Sequence, residues 1–351
     1  GVVMGVEFGF CLTDVHTVET QLEIIKRAEK LNFDFLAAYD HFFPWYYTGI
    51  EECPDPRPVL SAAAVLSERL KLGTGVTDVA RFHPGILAQI FATIDKLSNG
   101  RVFVSIGAGE DVNAVPLALD FPSAAKRIEK VEEYVRMLRL LWDNPFKKID
   151  YDGKYFKYRK AELYIKPIQK HLPVYASGMG PKAMGVVAKL INEFENVHWI
   201  CPSVPPHIDA LVKRLKKEIG EEKFNSINRM AQVPVVIGES DEEVIEGFSK
   251  TVYYASSPLS ILGFDKRGDP DMLAKHAGVK LTMEEKPLVD IARKAAIVPI
   301  GYPDDVIKGT EEYIKEGINQ PFWVTNSDNP LRALELLGEK VIPYLREEYS
   351  E

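Results

Sequence analysis

Short apolar segments alternate along this chain with longer segments whose apolar residues recur at helical spacing. Phe33 to Tyr39 has the composition of a buried strand, and a later segment carries an apolar helical face formed by Ile128, Val131, Val135, Leu138 and Leu141. Strands that alternate with helices at this cadence pair in parallel through right-handed crossovers. The pattern therefore predicts an α/β fold, a single (β/α)8 TIM barrel over residues 1–351. An open doubly wound sheet is the alternative.

Eight strands are predicted, and two insertions interrupt their alternation with helices. The strands are Val2 to Phe10, Phe33 to Tyr39, Leu70 to Thr77, Val102 to Ile106, Val174 to Ala176, His198 to Cys201, Val233 to Ile237 and Phe322 to Val324. Residues 147–166 contain a predicted hairpin insertion, because Asp152-Gly153 lies between aromatic, strand-forming residues. Residues 256–285 are rich in Gly, Pro and Asp and are predicted to form an irregular excursion over one end of the barrel.

Composition argues against several classes of protein. The net charge is -8, and the 43 Lys and Arg residues are scattered, so no nucleic-acid surface is expected. Cys11, Cys53 and Cys201 lack disulfide or metal-ligand spacing, so no metal site is expected. No apolar run approaches the roughly 20 residues that span a bilayer, and no secretory signal is visible at the start. A cytoplasmic protein without a membrane partner is the expectation.

Ionisable groups follow two of the predicted strands. Asp40-His41 comes directly after Phe33 to Tyr39, and Glu110 follows Val102 to Ile106. Because the carboxyl ends of parallel strands meet at the catalytic face of a barrel, we expect these groups to share a site. An imidazole there can transfer a proton near neutral pH, and Glu110 can donate one. Asp40 can orient this imidazole, and the alternative is a helix-capping acid beside an incidental histidine.

The turns around these groups are typical of a pocket for a flat ligand. Trp45 follows a proline and suits the wall of a heterocycle pocket. The small residues Gly107-Ala108-Gly109 allow a ligand to approach the backbone closely, and Asn113 is a hydrogen-bonding neighbour. A core role for Trp45 is the alternative.

Two further features have competing explanations. Glu7 lies inside the first predicted strand, where a paired structural acid is favoured over a buried unpaired one. Ser177-Gly178-Met179-Gly180 follows Ala176 and opens a helix, and a glycine-rich turn of this kind exposes amide groups to a phosphate or carboxylate. A simple turn between strand and helix is the alternative.

In combination, these motifs resemble the luciferase-like superfamily and, within it, the branch that depends on coenzyme F420, a deazaflavin. Asp40-His41-Phe42-x-Pro44-Trp45, Arg81-Phe82-x-Pro84 and Gly107-x-Gly109-Glu110-x-x-Asn113 are similar to motifs of the F420-dependent glucose-6-phosphate and secondary alcohol dehydrogenases. Lys71-Leu72-Gly73-x-Gly75-Val76-Thr77 and Gly5-Val6-Glu7-Phe8 are more like methylenetetrahydromethanopterin reductase.

The resemblance implies a TIM barrel that binds F420 at the carboxyl ends of its strands, with FMN less favoured, and a homodimer or higher homo-oligomer. It also implies a non-proline cis peptide bond between Gly75 and Val76. The residues that would bind the cofactor are Asp40, Gly75, Val76, Thr77, Gly107, Ala108, Gly109, Asn113, Ala176, Ser177, Gly178, Met179 and Gly180.

The same resemblance implies catalytic roles for four residues. His41 would take the substrate hydroxyl proton, Trp45 would support the transition state and Glu110 would protonate the reduced ring. Glu7 matches an essential acid of the pterin reductase.

The expected reaction is hydride transfer between C5 of F420 and a small alcohol or carbonyl. Glucose 6-phosphate is not favoured, because Pro202 and Pro205 stand where the sugar-phosphate dehydrogenase has a Thr and a Lys. Reduction of methylenetetrahydromethanopterin, in archaeal-type one-carbon metabolism, is the first alternative, and an FMN-dependent monooxygenase is the second. A barrel that sequesters the cofactor without turnover is the non-enzymatic alternative.

Overall fold

The computed structural model of this chain contains a closed parallel barrel. It describes residues 5–44, 52–202, 208–256, 284, 286–287, 290, 299–325 and 327–349. Within these residues the barrel strands are β1 (Gly9–Leu12), β2 (Phe35–Ala38), β3 (Lys71–Thr74), β4 (Val102–Gly107), β5 (Val174–Ser177), β6 (Val197–Cys201), β7 (Arg229–Pro234) and β8 (Gln320–Val324). Each strand pairs in parallel with the next, and β8 pairs with β1. The predicted (β/α)8 barrel is confirmed.

Helices flank the barrel. Among the described residues they are α1 (Val18–Ala28), α2 (Pro56–Leu66), α3 (Pro84–Leu97), α4 (Asp111–Ala114), α5 (Ala124–Asp143), α6 (Pro181–Glu193), α7 (Ile208–Ile219), α8 (Glu221–Ser226), α9 (Asp241–Ser256), α10 (Pro303–Lys315), α11 (Pro330–Leu336) and α12 (Ile342–Tyr349). In several of these helices, the side chain of the residue before the helix caps its amino end. A proline often takes the first helical position. No helix within the described part of the chain is both long and apolar enough to cross a membrane.

Alternation along the strands produces two separate apolar layers. One set of side chains fills the barrel interior: Cys11, Phe35, Ala37, Phe103, Tyr175, Ile200, Met230 and Phe322. The other set packs between the strands and the helices: Phe10, Leu36, Leu72, Val104, Val174, Trp199, Ala231 and Trp323. Because a barrel of this size is filled by its own side chains, a ligand must bind at an end.

The first strand begins later than the sequence predicts. Val2 to Phe10 was the prediction, whereas β1 is Gly9–Leu12, and residues 1–4 lie outside the described residues. Glu7 therefore precedes the strand and lies at the amino end of the barrel. There it forms an ion pair with Lys71, and its other oxygen accepts a hydrogen bond from Gln320 Nε2 at 2.6 Å. Glu7 is a paired acid at this end.

The predicted hairpin insertion is present. Ile149–Asp152 pairs antiparallel with Lys157–Ala161. The Glu133 carboxylate on α5 accepts the Phe156 N–H at 2.9 Å, which fastens the hairpin to the helix. A Cβ on Gly153 would lie 1.9 Å from Glu133 Oε1, so this contact requires glycine. Most of the predicted excursion at 256–285 lies outside the described residues.

A neutral histidine lies at the amino end, near Glu7. His198 in β6 is 6% exposed, and its Nδ1 accepts the Asn228 N–H at 3.2 Å. Its other nitrogen, Nε2, donates to Asn196 Oδ1 at 2.9 Å. Burial, with the positive charges of Arg139 and Lys71, lowers the pKa of His198 to about 3. The folded chain therefore holds this imidazole neutral.

Acid is expected to destabilise the fold through His198. The unfolded chain takes up a proton at this residue near pH 6.5, whereas the folded chain does so only near pH 3. The stability that this residue contributes is therefore complete above about pH 6.5 and is lost as the pH falls towards 3. When the pH is lowered from about 7.5 to about 5, the free energy of unfolding should fall by about 2 kcal/mol less in His198→Gln than in the wild type. Urea denaturation at both pH values measures this, and equal losses would contradict it.

Candidate active site

A cavity of about 390 Å³ opens at the carboxyl ends of the strands. Its walls come from the segments that follow several strands, because those ends converge at one face of the barrel. The described lining residues are Tyr39, His41, Gly75, Val76, Thr77, Asp78, Gly107, Ala108, Gly109, Glu110, Asn113, Ile128, Val131, Ser177, Gly178, Met179, Gly180, Ala183, Val186, Pro202 and Gln232. The volume lies in the range of ordinary small-molecule sites.

Most of the site residues predicted from sequence line this one cavity. They are His41, Gly75, Val76, Thr77, Gly107, Ala108, Gly109, Glu110, Asn113, Ser177, Gly178, Met179 and Gly180. Asp40 and Ala176 lie in the adjoining segments but do not line the cavity. Trp45 lies outside the described residues. Glu7 is at the opposite end of the barrel, so the structure does not bring it together with the others.

Asp40 is a buried acid held by two arginines. Its carboxylate accepts hydrogen bonds from Arg57 at 2.7 Å, from Arg81 at 2.6 Å and from the Thr77 hydroxyl at 2.7 Å. Burial opposes ionisation of Asp40, but the two guanidiniums and the hydroxyl outweigh it and hold the pKa below its ordinary value. Arg81 also binds Asp78, so these contacts fix the ends of β2 and β3 beside the cavity.

Asn113, not Asp40, contacts the ring of His41. The Asn113 side-chain oxygen accepts the Phe42 N–H at 2.8 Å, and its Nδ2 lies 3.1 Å from His41 Nδ1. The Asn113 N–H donates to the Glu110 carbonyl at 3.3 Å. Asn113 thereby contacts the His41 ring and the Glu110 backbone, and His41 and Glu110 both line the cavity.

One wall of the cavity is formed where the Val76 side chain, just after β3, lies against the backbone of Gly107 at the end of β4. The peptide bond between Gly75 and Val76 is cis, as the resemblance implies. A Cβ on Gly107 would lie 2.9 Å from Val76 Cγ1. Gly109 has φ +82°, and a Cβ there would lie 3.0 Å from Asp78 Cβ. Glycine is required at both positions for the strand ends to approach this closely.

The amino end of α6 meets the cavity at Gly180. A Cβ on Gly180 would meet nothing within 4 Å, so the space beside this helix start is open. The nearby ammonium of Lys182 binds Glu129 at 2.7 Å, and Glu129 also binds Lys154 on the hairpin. Binding of an anion here therefore depends on the backbone amides and the helix dipole more than on Lys182.

Gln232 and Tyr39 are polar lining residues that the sequence analysis did not identify. Gln232 Nε2 donates to the Tyr39 hydroxyl across the cavity wall. The predicted strand began at Val233, whereas β7 begins at Arg229 and includes Gln232. The available signal was an amide two residues after the inward-facing Met230, between the apolar residues Ala231 and Val233.

The described side chains that line the cavity are either uncharged or acidic. The described lining residues include Asp78 and Glu110 but neither Lys nor Arg. Arg81 Nε donates to Asp78 at 2.7 Å and compensates that charge. Among the described residues, no group of three His, Cys, Asp or Glu side chains could hold a metal ion.

Comparison with known proteins shows which family the chain resembles over most of its length. The sequence model of a family described as luciferase-like monooxygenase matches residues 6–320. The F420-dependent glucose-6-phosphate dehydrogenase of Nakamurella multipartita is 26% identical over 322 residues, which cover 91% of this chain and 90% of the relative. The enzyme of the same name from Mycolicibacterium smegmatis is 28% identical over 335 residues, which cover 93% of each chain.

Two solved structures extend the comparison to three dimensions. An F420-dependent secondary alcohol dehydrogenase in complex with an F420-acetone adduct has a TM-score of 0.78 and 25% identity, with coverage of 98% of this chain and 100% of that chain. The coenzyme F420-dependent tetrahydromethanopterin reductase from Methanopyrus kandleri has a TM-score of 0.73 and 23% identity, with coverage of 97% and 100%. The second similarity concerns the fold alone.

Proposed function

The chain belongs to the luciferase-like monooxygenase family, and from this premise we propose that it moves a hydride between coenzyme F420 and a small alcohol or its carbonyl. It is an F420-dependent oxidoreductase, as its curated relatives are. The observation that carries the proposal is that His41, Glu110 and the Gly75-Val76 segment line one cavity at the carboxyl end of the barrel.

The residues of the cavity fit a phosphate-bearing tricyclic cofactor. Val76 lies against the Gly107 backbone in one wall of the cavity, and this wall is where we place the ring. Thr77 and Asn113 are polar groups beside that wall. The open helix start at Gly180 suits the phosphate. When bound, the deazaflavin accepts or donates a hydride at C5.

His41 and Glu110 have separate roles in this proposal. His41 faces the substrate oxygen, because its ring lines the cavity and Asn113 fixes its orientation. Glu110 stands at the start of α4 and exchanges a proton with the ring side of the site.

The charge of the lining favours an uncharged substrate. A sugar phosphate brings a second phosphate into the site, and the described lining residues offer it no Lys or Arg. Pro202 stands at one of the two positions where the resemblance places a Thr and a Lys in the sugar-phosphate dehydrogenase. Its apolar ring lines the cavity. The structural neighbour that carries an F420-acetone adduct has a small substrate of the proposed kind.

The pterin alternative has less support. It depended on Glu7 as an essential acid, and Glu7 is engaged with Lys71 and Gln320 at the other end of the barrel. A carboxylate there is separated from the cavity by the packed barrel interior, which includes Phe35, Phe103 and Phe322.

Cofactor binding tests the proposal. Fluorescence quenching should show tighter binding of F420 than of FMN. Gly180→Asp should weaken F420 binding about tenfold or more, because it places a carboxylate beside the proposed phosphate position. Gly180→Asn is the matched control, since it has the same size without the charge, and it should retain most of the affinity. Equal affinities for F420 and FMN, or equal losses in the two variants, would contradict the proposal.

A further inference from the structure

The orientation of the Asn113 amide is fixed by the backbone. The Phe42 N–H is a donor, so the atom of Asn113 that lies 2.8 Å from it is the oxygen. Rotating the amide by half a turn would place two donors against each other. The amide nitrogen therefore faces His41 Nδ1, at 3.1 Å. Asn113 is 3% exposed, so water does not offer an alternative arrangement.

This orientation determines which nitrogen of His41 carries hydrogen. An amide N–H can donate only to a ring nitrogen that has a free lone pair, so Nδ1 is unprotonated. The neutral imidazole then carries its hydrogen on Nε2. A second proton on Nδ1 would face the amide N–H group of Asn113 and would lose this hydrogen bond.

We propose that Asn113 is a positioning residue that holds His41 as the neutral imidazole with its hydrogen on Nε2, so that His41 donates a hydrogen bond to the substrate oxygen. The part that concerns the substrate rests on the function proposed above. A histidine that serves as a general base through Nε2 has the opposite arrangement, in which Nδ1–H donates to a carboxylate. A neutral imidazole that polarises a carbonyl is an established alternative in enzymes.

The groups around His41 are consistent with this role. The Tyr39 ring meets the imidazole edge-on, with centroids 5.7 Å apart. Cys53 Sγ donates to the His41 carbonyl at 3.6 Å. The pKa of this thiol is raised to about 12, mainly by burial. Asp40 precedes His41, but its carboxylate is bound to Arg57 and Arg81. Glu110 contributes its backbone carbonyl to Asn113.

Nitrogen NMR of the full-length protein tests the assignment without any assay of activity. In protein labelled with 15N-histidine, the His41 signals are those that disappear in His41→Gln. Near pH 7 the expected spectrum shows Nδ1 with the shift of an unprotonated nitrogen and Nε2 with that of a protonated one. Asn113→Asp keeps an oxygen for the Phe42 N–H and presents a second oxygen to Nδ1, so it should move the hydrogen to Nδ1. A protonated Nδ1 in the wild type, or an unchanged spectrum in Asn113→Asp, would overturn the proposal.

The dependence of kcat/KM on pH gives a second measurement, which should not change if Asn113 only stabilised the fold. Asn113→Asp should change the dependence of kcat/KM on pH, because it changes which ring nitrogen of His41 carries the hydrogen and faces the substrate oxygen. An identical profile would count against the role of Asn113. If the protein does not bind F420 but the NMR spectrum shows the assigned tautomer, only the proposed function is refuted. Hydride transfer with the opposite tautomer would refute this inference alone.

Discussion

Asp40→Ala is expected to lower the free energy of unfolding by about 3–5 kcal/mol. The substitution removes a buried carboxylate and leaves the guanidiniums of Arg57 and Arg81 in place, with side chains that are each 7% exposed. Arg57 keeps Asp55 and Arg81 keeps Asp78, but both guanidiniums lose the fully buried carboxylate that lies between them. The Thr77 hydroxyl loses the same acceptor, and buried donors without their acceptors are costly. Urea denaturation measures the loss.

Glu23→Ala is the matched control for this prediction. Glu23 pairs with Arg27 on α1 at 3.0 Å, and both side chains are about 40% exposed. Solvent screens such a pair, so the control should lose less than about 1 kcal/mol. If Asp40→Ala lost no more than this control, the buried group would not stabilise the face of the barrel as described.

His41→Ala is expected to lower kcat by about 10²–10³-fold, with little change in the affinity for F420. The substitution removes the donor that stabilises charge on the substrate oxygen during hydride transfer. It leaves Gly75, Val76 and Gly180 unchanged, which line the same cavity and are proposed to bind the cofactor. Steady-state kinetics and fluorescence titration of the same preparation measure the two quantities.

His41→Gln separates a donor from a base. A glutamine amide carries an N–H group near the position of Nε2, so this variant should retain clearly more activity than His41→Ala. A glutamine cannot take up the hydroxyl proton, so a general base at this position predicts equal losses in the two variants. Equal losses would therefore remove the donor role, and full activity in His41→Ala would remove His41 from the reaction.

The barrel could be predicted because burial imposes a strong periodicity. Segments such as Phe33 to Tyr39 are apolar on both faces, as strands covered by helices must be, and β2 lies within this predicted range. Convergence of His41 and Glu110 followed from the same argument, since both come after parallel strands. The cis bond at Gly75 followed from family resemblance alone, because nothing in composition or spacing determines it.

The site could not be predicted in full because side-chain partners come from distant segments. Asp40 was predicted from the sequence to orient His41, but Arg57 and Arg81 bind its carboxylate from two other segments. Asn113 takes that position instead, 72 residues away in sequence. Glu7 was misplaced because apolar residues on both sides of it extended the predicted strand, and a shift of a few residues moved it to the amino end.

Transfer of deuterium from the cofactor tests the central claim most directly. Reduced F420 that carries deuterium at C5 is mixed with the protein and a panel of small ketones and aldehydes, with glucose 6-phosphate and oxidised F420 as a parallel reaction. Mass spectrometry should find one deuterium on the carbinol carbon of an alcohol product, and the sugar phosphate should react more slowly. An absence of labelled alcohol across the panel, or incorporation of oxygen from O2 into a product, would contradict the account.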